Sequence, residues 1–486
     1  MFEKPVASST LETGTLRPLC VDLDGTLVKS DTLVDSLLLL IRSRPLQAVR
    51  APLWLNGGKA AFKAQVGSRV ALDVAHLPWN RRLLEYLSEQ RAAGRKLYLA
   101  TGADTRLAHR IADHLGLFEA VLASDGQTNR TGNHKLASLQ ERFPEEGFDY
   151  IGNSRPDAPV LAQCGEAMVA NPTRSLRARM RSGKIPVSRS FNDRAAGGKS
   201  FLRAIRLHQW AKNVLIFLPL LLAHALKLPL LLNASLAFLC FSVCASATYI
   251  VNDLLDMEVD RRHPKKRYRP FAAGDLQAAT GFAIVVLFLA AAFTGAAFLP
   301  HGFLGWLLVY LATTLAYSLR LKRVVLLDVL LLSGLYTLRL LAGAAAVSVK
   351  ISPWMAAFSV FLFLSLAIVK RFSELENVRA QGGQLSNGRG YLLSDIEQLR
   401  SFGTASGLAA VVIFALYING SDTVGLYRHP ARMWLIMPLL ILWIFRVWLL
   451  ASRGELDEDP VIFAVTDSTS LLIGFCVALI AFLAAV

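Results

Sequence analysis

The sequence predicts two folds in one chain, a Rossmann-like α/β domain followed by an all-α membrane domain of about nine transmembrane helices. Three observations predict this. The chain has 486 residues, which is long for one domain. It is 53% hydrophobic and only 18% charged, whereas soluble proteins are about one quarter charged. Near residue 207 the composition changes, and long apolar runs then follow one another to the C-terminus.

Charge and cysteine usage narrow the range of partners. Lysine and arginine number 52 against 36 aspartate and glutamate, so the formal net charge is +16. On an apolar chain such an excess favours anionic lipid or phosphate partners over nucleic acid. The five cysteines form no CxxC pair and indicate neither a disulfide framework nor a zinc site. The opening MFEKPVASSTLETG has no apolar core, so we expect the first half of the chain in the cytosol.

Apolar strands followed by polar residues recur in the first half. LCVDLDGTLV is a strand ending in Asp22 and Asp24, KLYLATGAD is a strand ending in Thr101, and FDYIGNSRPD is a strand ending in Asn153 and Asp157. Helical segments lie between them, which indicates a parallel sheet. Because ligands bind at the carboxyl ends of parallel strands, we expect these polar side chains to form a site there.

The DLDGT motif directly after a strand resembles the haloacid dehalogenase superfamily over about residues 17–172. That resemblance implies a Mg²⁺-dependent phosphoryl-transfer site, in which a hard cation and a lysine screen the attack of a carboxylate on phosphorus. The implied roles are nucleophile for Asp22, acid/base for Asp24, phosphate binding for Thr101 and charge neutralisation for Lys135. Mg²⁺ would be bound by Asp157 together with Asp22 and Asp24.

Asn153 departs from the superfamily pattern, which usually has an acid at this position. An amide oxygen is an uncharged and weaker ligand for a hard cation. Two interpretations follow, a working phosphatase with weaker metal affinity or a domain retained as a scaffold. The retained Asp22, Asp24, Thr101 and Lys135 favour activity.

A basic segment and a series of apolar runs follow this domain. Residues 173–206 are rich in arginine and lysine and predict a linker that lies on anionic headgroups. A membrane span needs about 20 mostly apolar residues. Within residues 207–486 we predict nine spans, at 210–226, 229–255, 279–299, 302–318, 325–346, 353–370, 402–419, 431–451 and 462–485.

The loops between the predicted spans differ in charge. Those after spans two, four, six and eight carry most of the arginine and lysine, and the other loops hold only Lys227, Lys350, Arg428 and Arg432. Cytoplasmic loops carry such an excess of basic residues. We therefore predict a bacterial inner-membrane protein with a cytosolic N-terminal domain and a periplasmic C-terminus.

The strongest motif, SATYIVNDLLDMEVDRRHPKKRYRP, lies at the end of the second predicted span. Asp256 lies four residues after Asn252, three after Asp253 and four before Asp260, so these side chains are predicted to share one helix face. Carboxylates at membrane depth are costly and usually functional. They predict a site for Mg²⁺ carrying a diphosphate; the alternative is a helix end with solvated acids.

Two further groups of polar residues surround this motif. The loop after the acids carries four cations that suit phosphate oxygens, Lys265, Lys266, Arg267 and Arg269. A second cluster, in YSLRLKRVVLLDVLLLSGLYTLRLLAG, comprises Tyr317, Lys322, Asp328 and Arg339. Asp328 and Arg339 lie inside an apolar run, where they could also simply pair with each other.

These clusters, separated by two spans, resemble the UbiA superfamily of intramembrane prenyltransferases over about residues 200–486, with NDxxDxxxD as the first motif. Within it, HPKKRYRP, YSLRLKR, RLHQWAKN and KRFSEL resemble the decaprenyl-phosphate phosphoribosyltransferase branch. The resemblance implies 5-phosphoribosyl 1-diphosphate as donor, a polyprenyl phosphate as acceptor and Mg²⁺ as cofactor.

The resemblance also implies roles for individual residues. Asp253, Asp256 and Asp260 would hold Mg²⁺ on the donor diphosphate, and Lys322 and Asp328 would complete the pocket. The other substrate-binding residues would be Asn252, Lys265, Lys266, Arg267, Arg269, Tyr317, Arg339, Lys212 and Lys370. Two alternatives stay open: prenyl transfer to an aromatic or other acceptor, which the acid clusters fit equally, and a transporter with a regulatory domain. A transporter more often shows inverted repeats, and the sequence has no evident internal repeat.

Overall fold

The computed structural model describes residues 16–380, 382, 390–420, 425–456 and 460–485. The chain forms two compact units that interrupt each other in sequence. The first unit comprises Met1–Phe201 and Asp253–Gly281, and the second comprises Leu202–Asn252 and Phe282–Val486. The segment Asp253–Gly281, which contains the predicted acids and the basic loop, therefore belongs to the same unit as the N-terminal domain.

The first unit is built on a six-stranded parallel sheet with the strand order β3-β2-β1-β4-β5-β6. The strands are Leu19–Val21 (β1), Leu97–Asp104 (β2), Ala120–Ser124 (β3), Asp149–Gly152 (β4), Ala167–Ala170 (β5) and Arg189–Phe191 (β6). Leu19 and Val21 pack in one apolar cluster and Cys20 in another, so β1 is buried on both faces. The Rossmann-like α/β prediction is confirmed.

Short helices surround the sheet. In the N-terminal half they are Thr32–Ser43 (α1), Pro45–Ala48 (α2), Ala51–Trp54 (α3), Gly58–Gly67 (α4), Arg81–Ala92 (α5), Thr105–Leu115 (α6), Asn133–Arg142 (α7), Ala158–Leu161 (α8), Arg174–Gly183 (α9) and Gly197–Ile205 (α10). Helix α1 begins where the Asp31 carboxylate accepts hydrogen bonds from the backbone nitrogens of Leu33 and Val34, at 3.0 and 3.1 Å. This N-cap satisfies two of the donors that a helix start leaves free.

The segment predicted as a basic linker, 173–206, contains ordered elements. Helix α9 lies within it, and strand β6 extends the sheet by pairing with β5, Met168 opposite Arg189 and Ala170 opposite Phe191. Phe191 is buried in the core of the sheet domain. The arginine-rich composition concealed this strand because its other two residues, Arg189 and Ser190, are exposed.

The C-terminal half is helical. Its helices are Leu218–Leu222 (α11), Leu228–Leu255 (α12), Met257–Arg262 (α13), Ala278–Ala296 (α14), His301–Leu319 (α15), Leu327–Ala346 (α16), Pro353–Ala380 (α17), Ile396–Ile418 (α18), Ile436–Ser452 (α19), Pro460–Thr466 (α20) and Ser468–Ala485 (α21). The 3-10 segments of the chain are Leu55–Gly57, Val74–His76, Arg155–Asp157, Leu207–Phe217, Lys266–Tyr268, Leu321–Arg323, Leu393–Asp395 and Pro430–Leu435.

Eight helices within the described ranges are long and apolar enough to span a membrane: α12, α14, α15, α16, α17, α18, α19 and α21. The prediction of an all-α polytopic membrane domain is confirmed, with eight such helices where we predicted nine. The remaining predicted span, 210–226, consists of the 3-10 segment Leu207–Phe217 and the short helix α11. Buried polar side chains at Lys212 and Asn213 interrupt the apolar run there.

Candidate active sites

The carboxyl ends of the central strands form a buried polar centre in the first unit. Asp22 follows β1, and its Oδ1 accepts a hydrogen bond from Lys135 Nζ at 2.7 Å. Lys135 also donates to the Tyr150 hydroxyl at 2.8 Å. Burial raises the pKa of Asp22 to about 6, although the charge of Lys135 opposes this. Burial alone would lower the pKa of Lys135, but the charges of Asp22 and Asp157 outweigh it and raise that pKa.

Asp24 lies two residues further on and has a different environment. Its Oδ1 accepts a hydrogen bond from the backbone nitrogen of Thr32 at 2.7 Å. Burial, and then the charge of Asp31, raise the pKa of Asp24 to about 8. Burial therefore raises the pKa of both carboxyls, and that of Asp24 more than that of Asp22. This separation suits a nucleophile beside a general acid.

Asp157 accepts hydrogen bonds on both of its carboxylate oxygens. Its Oδ1 accepts hydrogen bonds from Lys135 Nζ at 3.2 Å and from the Tyr150 hydroxyl at 2.8 Å. Its Oδ2 accepts from the backbone nitrogens of Asn153 and Ser154 and from Ser154 Oγ, at 3.2, 3.0 and 2.9 Å. Five donors engage the two oxygens, so the structure gives Asp157 the role of positioning Lys135, and its binding of Mg²⁺ stays a prediction.

Asn153 instead presents an oxygen that could bind a cation. Gly25 has a left-handed φ of +75°, and a Cβ at this position would collide with the Asn153 amide, so the side chain fits against the DLDGT turn. Asn153 Oδ1 is buried and has no hydrogen-bond partner among the described residues. A buried acceptor in this state suits a hard cation. With Asp24 as the acid, the side-chain oxygens that fit Mg²⁺ are therefore those of Asp22 and Asn153.

These groups line a cavity of about 250 Å³. Gly102 lines it, whereas Thr101 is fully buried and its hydroxyl accepts a hydrogen bond from the backbone nitrogen of Ala103 at 3.0 Å. Lys63, which sequence reasoning missed, also lines the cavity and donates to the Gly102 carbonyl at 2.6 Å. Burial lowers the pKa of Lys63. A lone lysine in the apolar run AAFKAQV was the available signal.

The predicted acid face after α12 is divided by a break in the helix. Helix α12 ends at Leu255, and Asp256, with φ −91° and ψ 0°, separates it from α13. Arg269 Nη1 bonds to Asp253 Oδ1 at 3.1 Å and to Asp260 Oδ2 at 2.7 Å, whereas Asp256 pairs with Arg42 at 3.5 Å. The prediction that all the acids share one face is therefore wrong, because the break turns Asp256 to a different cation.

Within the basic loop, Arg269 bonds directly to the acids. Arg267 donates to the hydroxyl of Tyr268 at 2.8 Å. The backbone nitrogens of Lys265 and Lys266 donate to His263 Nδ1 at 3.2 and 3.3 Å. Across the described part of the chain, no three histidine, cysteine or acidic residues are arranged to hold a metal ion. Two carboxylates held around one arginine are nevertheless hard oxygen donors of the kind that Mg²⁺ prefers.

In the second unit, Asp328 is fully buried at the start of α16. Arg371 Nε donates to its Oδ2 at 2.6 Å, and the Tyr391 hydroxyl donates to its Oδ1. Arg371 also contacts the hydroxyl of Tyr317, at 3.4 Å. The alternative that Asp328 pairs with Arg339 is wrong, since eleven residues of helix separate them by about 16 Å.

Arg339 and Lys322 have other partners in this unit. Arg339 Nε donates to Asn213 Oδ1 at 2.7 Å, and its guanidinium lies 5.3 Å from the centre of the Tyr310 ring, so it fills an aromatic site within the helices. Lys322 Nζ donates to Asn252 Oδ1 at 3.1 Å, which joins two residues that the sequence predicted as substrate-binding. Lys212 Nζ lies 5.7 Å from the ring centre of Tyr336.

Two residues around Asp328 were missed by sequence reasoning. Arg371 adjoins the predicted Lys370 in α17, so the KRFSEL motif contained the signal one residue further on. Tyr391 lies outside the apolar runs, 63 residues from Asp328 in sequence. Nothing in the local pattern links it to that acid.

The chain has a polytopic helical domain with carboxylates and an arginine at the end of an apolar helix. It also has a parallel-sheet domain that carries DLDGT. Together these features define a membrane transferase with a phosphatase-like domain. Residues 213–471 match the UbiA prenyltransferase family, and residues 19–162 match the haloacid dehalogenase-like hydrolases. The chain belongs to the UbiA prenyltransferase family, and both resemblances predicted from the sequence are confirmed.

Three relatives illustrate the similarity. An uncharacterised protein, y4nM, of Sinorhizobium fredii is 39% identical over 464 residues, which cover 95% of this chain and 90% of the relative. Nodulation protein NoeC of Azorhizobium caulinodans is 35% identical over 276 residues, 56% of this chain and 89% of its own. Decaprenyl-phosphate phosphoribosyltransferase of Mycobacterium tuberculosis is 33% identical over 226 residues, 46% of this chain and 74% of its own.

Proposed function

We propose that this protein transfers the 5-phosphoribosyl group of 5-phosphoribosyl 1-diphosphate to a polyprenyl phosphate. The observation that carries the proposal is the pair of carboxylates, Asp253 and Asp260, bound to Arg269 immediately after an apolar helix. The similarity to a decaprenyl-phosphate phosphoribosyltransferase, at 33% identity, supports this choice of donor and acceptor.

Asp253 and Asp260 would hold Mg²⁺ on the donor diphosphate, and this ion would supply neutralisation of the departing charge. Arg269 already bonds to both carboxylates through one nitrogen, and its remaining guanidinium donors suit phosphate oxygens. Lys265, Lys266 and Arg267 follow α13 and would bind the other donor phosphates. In this proposal Asp256 has a weaker role, since it faces Arg42.

The reaction is a displacement at the anomeric carbon of the ribose. An oxygen of the lipid phosphate forms a bond to this carbon, the bond from the carbon to the diphosphate oxygen breaks, and the electron pair leaves with diphosphate. No general base is needed, because the acceptor is already an anion. Stabilising the leaving group is therefore the main catalytic requirement, and the cations after α12 meet it.

The polar residues of the second unit have two proposed roles. Lys322, hydrogen-bonded to Asn252, would bind phosphate, as would Lys212 and Lys370. Asp328 accepts hydrogen bonds from Arg371 and Tyr391 on its two oxygens, so we assign it a positioning role. Tyr317 and Arg339 are likewise hydrogen-bonded to neighbouring side chains, and we propose that they position those side chains.

Labelled donors test the proposal. Membranes containing the protein are supplied with a polyprenyl phosphate and Mg²⁺, and with either labelled 5-phosphoribosyl 1-diphosphate or a labelled polyprenyl diphosphate plus aromatic acceptors. We expect the label to enter lipid only from the ribosyl donor. Label entering product from the polyprenyl diphosphate would show prenyl transfer, and label entering no product would favour a transporter.

We also propose that the protein lies in the bacterial inner membrane with its N-terminus in the cytosol and its C-terminus in the periplasm. The basic loops support this orientation. It requires an odd number of passes, and Leu207–Phe217 with α11 would supply the first. A 3-10 segment rises about 2.0 Å per residue and an α-helix about 1.5 Å, so these residues can reach about 30 Å, the thickness of the hydrocarbon core.

We further propose that the haloacid dehalogenase-like domain is an active phosphatase. Asp22 would form a bond to phosphorus while the phosphorus–ester oxygen bond breaks, and Asp24 would give its proton to the departing oxygen. Water would then hydrolyse the phosphorylated Asp22. Asn153 Oδ1 would join Asp22 in holding Mg²⁺, which would screen the repulsion between carboxylate and phosphate.

The transferase product suggests the substrate of this phosphatase. Its ribose still carries a 5-phosphate, and covalent tethering raises the local concentration of such a product to roughly millimolar. The test compares the lipid products of the wild type with those of Asp22→Asn, with the exposed Asp113→Asn as control. We expect only Asp22→Asn to accumulate the phosphorylated ribosyl lipid. If all three proteins give the same phosphorylated product at the same rate, the domain is a scaffold or acts on something else.

A further inference from the structure

Helix α1 of the phosphatase-like domain is joined to the segment Asp253–Gly281 by a buried ion pair. Arg261 Nη2 lies 2.8 Å from Asp35 Oδ2 and 3.1 Å from Ser30 Oγ. The side chains of Arg261 and Asp35 are 3% and 2% exposed. On its other side, Arg261 Nε donates to the carbonyl of Ala272 at 3.2 Å. One guanidinium therefore connects the phosphatase-like domain, α13 and the end of the basic loop.

A second arginine of α1 contacts the break between α12 and α13. Arg42 Nη1 lies 3.5 Å from Asp256 Oδ1 and 3.4 Å from the carbonyl of Leu255. That carbonyl is at the C-terminal end of α12, where helices leave acceptors free and favour cations. Asp35 and Arg42 are seven residues apart, so they lie two turns apart on one face of α1.

Contacts at the far end of the segment complete this attachment. Gly274 has a left-handed φ of +72°, and a Cβ there would lie 2.6 Å from Lys29 Cβ. Lys29 Nζ lies 3.9 Å from Asp275 Oδ1. An exposed pair, Arg262 with Asp73 at 2.8 Å, lies at the surface of the same contact. The segment is therefore held against the phosphatase-like domain at both ends.

The residues that would bind the donor diphosphate are carried by this attached segment. Asp260 directly precedes Arg261 in α13, and it holds Arg269 at 2.7 Å. Because a buried, three-point arginine fixes the rotation of a helix that is only two turns long, it also fixes the direction in which Asp260 points. Arg42 fixes Asp256 and the end of α12 in the same way.

The Asp35–Arg261 pair has the character of a positioning device. Buried ion pairs are weak evidence for stability, because desolvation offsets the attraction, and they are better attested as devices that specify one arrangement. Asp35 Oδ1 is buried without a hydrogen-bond partner in the described chain, so the pair is not arranged for maximum stability. It does fix one orientation of α13.

We propose that Asp35 and Arg42 of the phosphatase-like domain are positioning residues of the transferase: Asp35 sets the geometry of Asp260 through Arg261, and Arg42 sets that of Asp256 by direct contact. This inference rests on the proposed role of these acids in binding the donor diphosphate. The phosphatase-like domain is then a required part of the transferase site, whatever it hydrolyses.

The test measures transfer by full-length Asp35→Asn in membranes, with kcat and KM determined separately for donor and for lipid acceptor. Residues that orient a ligand-binding group typically affect activity about 10–100-fold, and we expect a loss of this size in kcat/KM for the donor. The KM for the polyprenyl phosphate should stay unchanged. Asp73→Asn, which breaks the exposed pair in the same contact, is the matched control and should behave as the wild type.

Ser30→Ala guards against a folding defect, since it removes the hydrogen bonds of Ser30 Oγ to Arg261 and to Asp35 but leaves the ion pair. It should show a smaller loss, again confined to the donor. In addition, the double variant that combines Asp35→Asn with Arg261→Gln should be no more impaired than the worse of the two single variants, because the two residues act as a unit. Losses that add, or that affect donor and acceptor alike, would overturn the proposal.

The same variants are measured with a polyprenyl diphosphate donor, so that this proposal and the proposed function can fail separately. If the wild type uses that donor instead of 5-phosphoribosyl 1-diphosphate, the proposed function is wrong, but the donor-specific loss in Asp35→Asn should remain. Wild-type kinetics in Asp35→Asn with whichever diphosphate the protein uses would overturn the positioning role.

Discussion

Asp157→Asn tests the role that the structure gives Asp157, which is to hold Lys135 rather than a metal ion. The carboxylate accepts five hydrogen bonds, two on Oδ1 and three on Oδ2. An amide keeps one acceptor oxygen and presents donors where the other oxygen was. Whichever way it is oriented, two or three donors around it lose their acceptor, and Lys135 loses one of its two anionic partners.

The expected loss of stability follows from these contacts. A neutral hydrogen bond contributes about 1 kcal/mol, and breaking a buried ion pair by removing one partner costs about 3–5 kcal/mol. Asp22 still faces Lys135 in the variant, so we expect the lower end, about 3 kcal/mol. Ser154→Ala is the control, since it removes one of the five donors and should cost about 1 kcal/mol.

Hydrogen exchange of the full-length protein in detergent measures this locally. Amides of β4 and of the turn after it should exchange roughly 100-fold faster in Asp157→Asn, because about 1.4 kcal/mol corresponds to a factor of ten. The Mg²⁺ concentration that half-saturates phosphatase activity should not change. A variant with wild-type exchange and a much higher Mg²⁺ requirement would show that Asp157 is a metal ligand and refute this reasoning.

Three further predictions concern the other sites. Asp253→Asn and Asp260→Asn should each lower phosphoribosyl transfer about 100-fold or more, and Asp256→Asn should lower it less; equal losses in all three would contradict the divided acid face. Asn153→Asp should lower the Mg²⁺ concentration needed by the phosphatase at least about tenfold, because a unit charge near a cation contributes several kcal/mol even at an effective dielectric constant of about 20; an unchanged Mg²⁺ titration would remove Asn153 from the metal site. A reporter fused at the C-terminus should behave as periplasmic, and a cytosolic readout would mean an even number of passes.

Local sequence patterns were sufficient to predict the strands, the spanning helices and the central residues of each site. LCVDLDGT predicts a buried strand ending in two acids, and the structure places β1 directly before Asp22 with Asp24 bonded to Thr32. The apolar runs predict the spanning helices because length and composition alone decide whether a segment can cross a membrane. The acid spacing predicted one helix face, and it failed at Asp256 because helical spacing holds only while the helix continues.

Long-range contacts account for what the sequence did not reveal. Asp157 is predicted as a metal ligand by its position after a strand, and only the fold reveals the five donors that surround it. Arg371 and Tyr391 approach Asp328 from elements 43 and 63 residues away. Arg261 is one of many basic residues in its loop, and only the fold brings it to Asp35, 226 residues earlier.

One measurement tests the central claim most directly. The purified protein, supplied with a polyprenyl phosphate, Mg²⁺ and 5-phosphoribosyl 1-diphosphate labelled with carbon-13 throughout the ribose, is assayed by mass spectrometry of the extracted lipid. We predict a new lipid that contains the intact labelled ribose joined to the polyprenyl phosphate, with one diphosphate released for each lipid formed, and neither product in Asp260→Asn. A lipid fraction without the label, together with consumption of a polyprenyl diphosphate in a parallel reaction, would contradict the claim.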